Sequence, residues 1–228
     1  MDFMKLLKSL EELLYELVSW LLFYPLTVWR TAVTPLKMMR YADTELADRP
    51  EDQYEDTLSP PLFLLITLML SQGVAGALPS IYDPSEAVRR LGSGSNLLIA
   101  RGVIFGIFPL CMAAILLRRK KVRLTRDSLR PPFFSQCYVA ALFAFVLVLG
   151  LDFYSMPSGQ GDVAGAITVT IAVVWYAQAE VRWFMQDLGI GAIRATAIFI
   201  GAFLLAITAA LAIALLINLD ATSIASAT

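Results

Sequence analysis

The chain has 228 residues, 58% of them hydrophobic and 16% charged, with 18 basic against 19 acidic side chains and a mean hydropathy of +0.68. Soluble domains average about 45–50% apolar and about 25% charged residues, so the composition argues against a water-soluble globule and makes the bilayer the natural solvent. Histidine is absent, which removes Ser/His and Cys/His nucleophile pairs and every His-ligated metal or haem site. The two cysteines, Cys111 and Cys137, stand in apolar stretches without C-x-x-C spacing. A sequence pI near 5.5 argues against nucleic-acid binding by the whole chain.

At the N-terminus, Phe3, Leu6, Leu7, Leu10, Leu13, Leu14, Leu17, Val18 and Leu21 recur at three- and four-residue steps, with Lys5, Lys8, Glu11, Glu12 and Glu16 between them. That spacing predicts an amphipathic helix. Its apolar face broadens around Pro25 into a cluster of Trp20, Phe23, Tyr24 and Trp29. The uncharged run 17–29 is 13 residues, too short for an ordinary span, so the expectation is an in-plane helix on the cytoplasmic interface, bent at Pro25. The plainer alternative is packing on the cytoplasmic ends of the spans. Acidic residues among the leading apolar ones speak against a cleavable signal peptide. Residues 1–41 therefore form one cytoplasmic segment. Residues 42–58 follow as an acidic linker containing Asp43, Glu45, Asp48, Glu51, Asp52, Glu55 and Asp56 against a single Arg49. It reads as solvated chain, or as a contact for a partner with a basic surface, and it lacks the spacing of a calcium loop.

Residues 59–220 read as a polytopic membrane domain. A helix rises about 1.5 Å per residue, so a core about 30 Å thick needs roughly 20 apolar residues. Five segments approach that: 61–79, 97–117, 131–151, 163–179 and 195–219. Arg101 would snorkel from the start of the second, and Pro109 would kink it. The fold class is all-α, a five-span helical bundle preceded by an interfacial helix and followed by a short tail, 221–228. With five spans, the N-terminal region and the loops 118–130 and 180–194 share one face and carry most of the Lys and Arg, which places them in the cytoplasm. The N-terminus is then cytoplasmic and the C-terminus extracytoplasmic.

The stretches WRTAVTPLKMMRY at 29–41 and SPPLFLLITLML at 59–70, with a polar linker between them and five closely spaced spans after it, resemble the Yip1-like membrane proteins, particularly their bacterial members. Ser59, Pro60 and Pro61 stand where eukaryotic members carry an Asp-Leu-Tyr-Gly-Pro motif. The resemblance implies a non-catalytic integral membrane protein, in bacteria of the inner membrane, and carries over no site residue.

The sharpest charge feature is the loop RRKKVRLTRDSLR at 118–130. Arg118, Arg119, Lys120, Lys121 and Arg123 are candidate contacts for anionic lipid, which attracts such segments by about 1 kcal/mol per basic residue. The positive-inside bias alone also produces basic loops. In the last span, Ala202, Ala206, Ala210 and Ala214 repeat at four-residue steps, a stripe that lets helix backbones approach closely, either within the chain or between two copies. The glycine pairs Gly102/Gly106 and Gly161/Gly165 repeat that spacing more weakly. The mid-span polar residues Thr67, Ser71, Gln72, Thr168, Thr170 and Thr208 are uncharged, Gln72 being the candidate intramembrane polar site. Glu180, Arg182 and Asp187 read as interfacial charges beside Trp183 and Phe184, so no Asp, Glu, Lys or Arg is expected deep in a span. No catalytic, cofactor or metal site is expected. The expected partners are the lipid bilayer and a membrane protein or second copy meeting the last span, with no nucleic acid. The main expectation is a protein acting through protein or lipid contacts in membrane organisation or as a subunit of a membrane complex. The alternative is a small permease or channel for a neutral or apolar solute.

Overall fold

The structure, a computed structural model, describes residues 3–49, 53–77, 94–154 and 160–227. The described residues are all-helical, in seven helices: α1 (Phe3–Val33), α2 (Pro35–Glu45), α3 (Pro60–Ala77), α4 (Gly94–Arg119), α5 (Arg126–Tyr154), α6 (Gln160–Leu188) and α7 (Ala192–Ala227). Four stretches, Gly102–Arg119, Arg126–Tyr154, Gly161–Leu188 and Ala192–Leu216, are long and apolar enough to cross a membrane. The first predicted span corresponds to a shorter apolar helix, Pro60–Val74. Its expected end at Pro79, the loop with Arg89 and Arg90, and residues 155–159 lie outside the described residues.

The segments between α4 and α7 alternate in direction. Lys120, just past the end of α4, pairs with Asp187 near the end of α6, and Arg119 and Arg194 line one hollow between α4 and the start of α7. The basic loop and the polar end of α6 thus gather at one end of the bundle. The turn between α4 and α5 is closed locally. Lys121 adopts a left-handed conformation (φ 58°), and the Val122 N–H returns to the Leu117 carbonyl at 3.0 Å, as helix C-termini do. At the start of α5 the Ser128 N–H donates to Thr125 Oγ1 and the Thr125 N–H to Ser128 Oγ, so two backbone donors at the helix entrance are satisfied reciprocally.

The bundle core is aromatic. Phe143 of α5 stacks on Tyr176 of α6 with ring centroids 4.5 Å apart, and Phe108, Phe199 and Phe203 complete the cluster. At the far end α5 and α6 cross at glycine. A Cβ on Gly150 would lie 2.8 Å from Val169 Cγ2 and 2.9 Å from its backbone N, and one on Gly165 would lie 2.9 Å from the Gly150 carbonyl oxygen. Gly102 and Gly106 have nothing within 4 Å of such an atom, so that predicted small-residue pair is not a helix crossing.

α1 is a single helix over the predicted amphipathic stretch. It continues through Pro25, and its C-terminal half packs on α2, on α5 and on the segment leading into α3. Arg30 meets Asp56, the Leu58 N–H reaches Thr27 Oγ1, and Tyr24 donates to Thr67 Oγ1 at 3.2 Å while its ring lies 5.5 Å from that of Phe63. The aromatic cluster around Pro25 is divided between two sides: Trp20, Phe23 and Tyr24 pack inward, whereas Trp29 is 67% exposed.

The acidic linker is also not simply solvated chain. Its last residues fold back, with Tyr54, Thr57 and Leu58 buried. Tyr54 sits at φ 60°, a region unfavourable for a bulky side chain. Glu45 holds it there by accepting the Tyr54 N–H at 2.6 Å, as does the Tyr54 hydroxyl on the Ala42 carbonyl.

Candidate functional site

Two arrangements at the basic end of the bundle combine polarity with shape. The first is a groove between α4 and α7, made of two adjoining hollows of about 410 and 430 Å³. Arg118, Arg119 and Arg194 line it, and Ile115, Ile198 and Gly201 supply apolar wall and floor. The loop sequence places Arg118 and Arg119 in the last turn of α4, while Arg194 comes from the first turn of α7, so the three cations converge only because the two helix ends are neighbours. The other predicted loop residues take different roles. Lys120 is ion-paired with Asp187 at 2.7 Å, and Lys121 and Arg123 are exposed.

The second arrangement is a buried polar cluster between α5 and α6. Glu180 is fully buried among the helices, where an anchoring charge at the interface would be exposed. Gln136 of α5 and Tyr176, one turn earlier on α6, face it and are themselves fully buried. Neither Glu180 oxygen, neither polar atom of the Gln136 amide, nor the Tyr176 hydroxyl or Trp183 Nε1 completes a hydrogen bond. Buried polar atoms are satisfied in the great majority of cases, so this concentration marks the site. Sequence reasoning missed it by treating residue 180 as the span's edge. The available signal was that Tyr176, Glu180, Trp183 and Asp187 follow steps of four, three and four, which is one helical face. Arg182, off that face, is exposed.

Polar contacts between α2 and the neighbouring turns of α5 and α6 lie beside this cluster, toward the surface. The Ser135 hydroxyl donates to Asp43 of α2 at 2.5 Å, and Ser135 adjoins Gln136. Burial of its carboxyl against α5 raises Asp43 above the usual carboxylate range, opposed by the Ser135 hydrogen bond, and the nearby charges of Asp187 and Lys120 act in opposite directions. Arg40 of α2 hydrogen-bonds Gln186.

The remaining predicted residues are placed as follows. Ala202, Ala206 and Ala210 are buried and Ala214 is half-buried; the first three belong to the core shared with α4 and α6. Gln72 is half-buried near the end of α3's described side chains. The mid-span hydroxyls of Thr67, Ser71, Thr168, Thr170 and Thr208 donate to carbonyls three or four residues back on their own helices, a local satisfaction that leaves them no need of a substrate. Among the described residues no group of three or more Cys, Asp or Glu could hold a metal ion. No family model, curated protein or solved structure matches the chain.

Proposed function

We propose that the protein is an integral membrane protein of Yip1-like type that acts through lipid and protein contacts, and that its cytoplasmic face holds anionic phospholipid. The arginine-lined groove carries this reading. Basic pockets between membrane helices on the cytoplasmic side suit phosphate headgroups, and the apolar wall of Ile115 and Ile198 suits the start of an acyl chain. The apolar outward residues of α1, Val18, Leu21, Leu22 and Trp29, each at least 67% exposed, add a second lipid-facing surface. In the proposed orientation, residues 30–58, 118–130 and 189–194 are cytoplasmic and the C-terminus is extracytoplasmic, in a bacterial inner membrane with five spans.

The test is native mass spectrometry of the protein released from nanodiscs of mixed phosphatidylglycerol and phosphatidylcholine. Retention of the anionic lipid is expected, falling about fivefold for each of Arg118→Ala, Arg119→Ala and Arg194→Ala, the equivalent of about 1 kcal/mol per cation. Equal retention of both lipids, or retention indifferent to all three substitutions, overturns the reading. A second reading, a small permease, is favoured by the unsatisfied polar cluster around Glu180; solute uptake by proteoliposomes that is lost in Glu180→Gln would support it.

A further inference from the structure

Glu180 presents a problem that lipid contact does not address. It lies eight residues before the end of α6 at Leu188, about 12 Å along the helix axis, with no exposure and no hydrogen bond to either oxygen. An ionised carboxylate in such a place costs several kcal/mol unless it is paired, and among the described residues no Lys or Arg forms an ion pair with it. The groups around it are neutral. Gln136 and, next to it, Cys137 come from α5, and Tyr176 and Trp183 from α6 itself. Cys111 of α4 packs against the same core as Tyr176. α7 contributes the Phe199 ring, 6.0 Å from that of Tyr176, while its Arg194 is exposed. α2 contributes Met39 to the same core and holds Arg40 on Gln186 and Asp43 on Ser135. Lys120 is engaged by Asp187.

We propose that Glu180, Gln136 and Tyr176 form an intramembrane proton-binding site that exchanges with the cytoplasmic side. A proton makes the carboxyl a neutral donor and acceptor, which the amide and phenol can then meet with an acceptor and a donor of their own. A metal ion suits the site less well. The cluster offers four side-chain oxygens, two from Glu180 and one each from Gln136 and Tyr176, whereas hard cations take six or more, and the Gln136 and Trp183 N–H groups would face the ion. The face of Glu180 leads toward the basic end: Trp183, a donor only, covers the next turn and Asp187 stands one turn beyond it, so the proton crosses that turn on water admitted past Trp183. There Asp187, at 25% side-chain exposure, joins Lys120 and Asp43. Loss of the proton leaves a bare carboxylate in the α5–α6 contact, so deprotonation must draw water in or loosen that contact. The site stands independently of the phospholipid groove.

Infrared spectroscopy of the full-length protein in vesicles tests this. A protonated-carboxyl stretch is expected at neutral pH, lost on alkaline titration, indifferent to sodium, and missing from Glu180→Gln. If that variant fails to assemble, a membrane-soluble carbodiimide, which reacts with protonated carboxyls, is applied to the wild-type protein and its adduct mapped by mass spectrometry. An adduct on Glu180 that declines as pH rises supports the site. A neutral-pH band unchanged in Glu180→Gln, or an adduct pattern lacking Glu180, overturns it. Displacement of the band by sodium at constant pH also overturns it, in favour of a cation site.

Discussion

Asp56 lies between two donors, the Arg30 guanidinium at 2.7 Å and the Tyr41 hydroxyl at 2.5 Å. The Tyr41 hydrogen bond and the Arg30 contact hold its carboxyl below the usual carboxylate range against the opposing effect of burial. A carboxyl displaced downward stabilises the fold above the unfolded-state value near about 4 and ceases to do so as pH falls through the folded value. Because the side chain is 56% exposed, its contribution is modest. Asp56→Asn should cost about 1 kcal/mol or less at neutral pH, and the difference from wild type should vanish in acid. Thermal unfolding in detergent at a series of pH values checks this. A gap that persists at low pH would show that the linker is held by something other than this ion pair. The residue scale also shows why Glu180 escaped notice in the sequence. Its neighbours Arg182 and Asp187 do lie at a polar edge, and only burial distinguishes a carboxylate facing the helix partner from one facing water.

Helix pairs follow rules that a list of small residues does not settle. The alanine stripe of α7 is readable as a packing face, and Ala202, Ala206 and Ala210 are buried within the chain. Gly165, one of the weaker Gly161/Gly165 pair, does lie at a close crossing, but its partner there is Gly150 of α5, fifteen residues away and on another helix, which single-helix spacing does not reveal. Gly150→Ala or Gly165→Ala should destabilise the protein by about 1–3 kcal/mol, since each Cβ meets neighbouring atoms that must move. Gly106→Ala, with open space around its Cβ, should be neutral or stabilise by up to about 1 kcal/mol through helix propensity. Chemical unfolding of the three variants in micelles tests the contrast, which fails if Gly106→Ala is the most damaging. For α1, nitroxide labels at Leu22 and Trp29 should collide with lipid-dissolved oxygen, whereas labels at the buried Thr27 and Thr31 should be protected. Equal collision rates along the helix would mean that it does not pack on the bundle.

At the scale of the molecule, the prediction concerns sides. A reporter fused after Thr228 should be active only outside the cytoplasm, and a protease site inserted in the loop after Lys121 should be cut only from the cytoplasmic side. Activity of the C-terminal reporter in the cytosol would reverse the arrangement. Composition, hydropathy and the clustering of Lys and Arg made the helical membrane character legible from sequence, because transfer from water to hydrocarbon depends on residue type and run length and needs no knowledge of neighbours. The sequence also located the four long apolar helices to within a few residues at most of their ends. Even so, α6 extends nine residues past its expected boundary at 179 because Glu180, Trp183 and Phe184 are covered by other helices. The tertiary structure alone decided that α1 packs on α2 and α5, that Arg118, Arg119 and Arg194 share a groove, and that Glu180 meets Gln136 across a helix interface. Each of these depends on which faces of separate helices meet, a long-range choice made by packing that local periodicity does not encode.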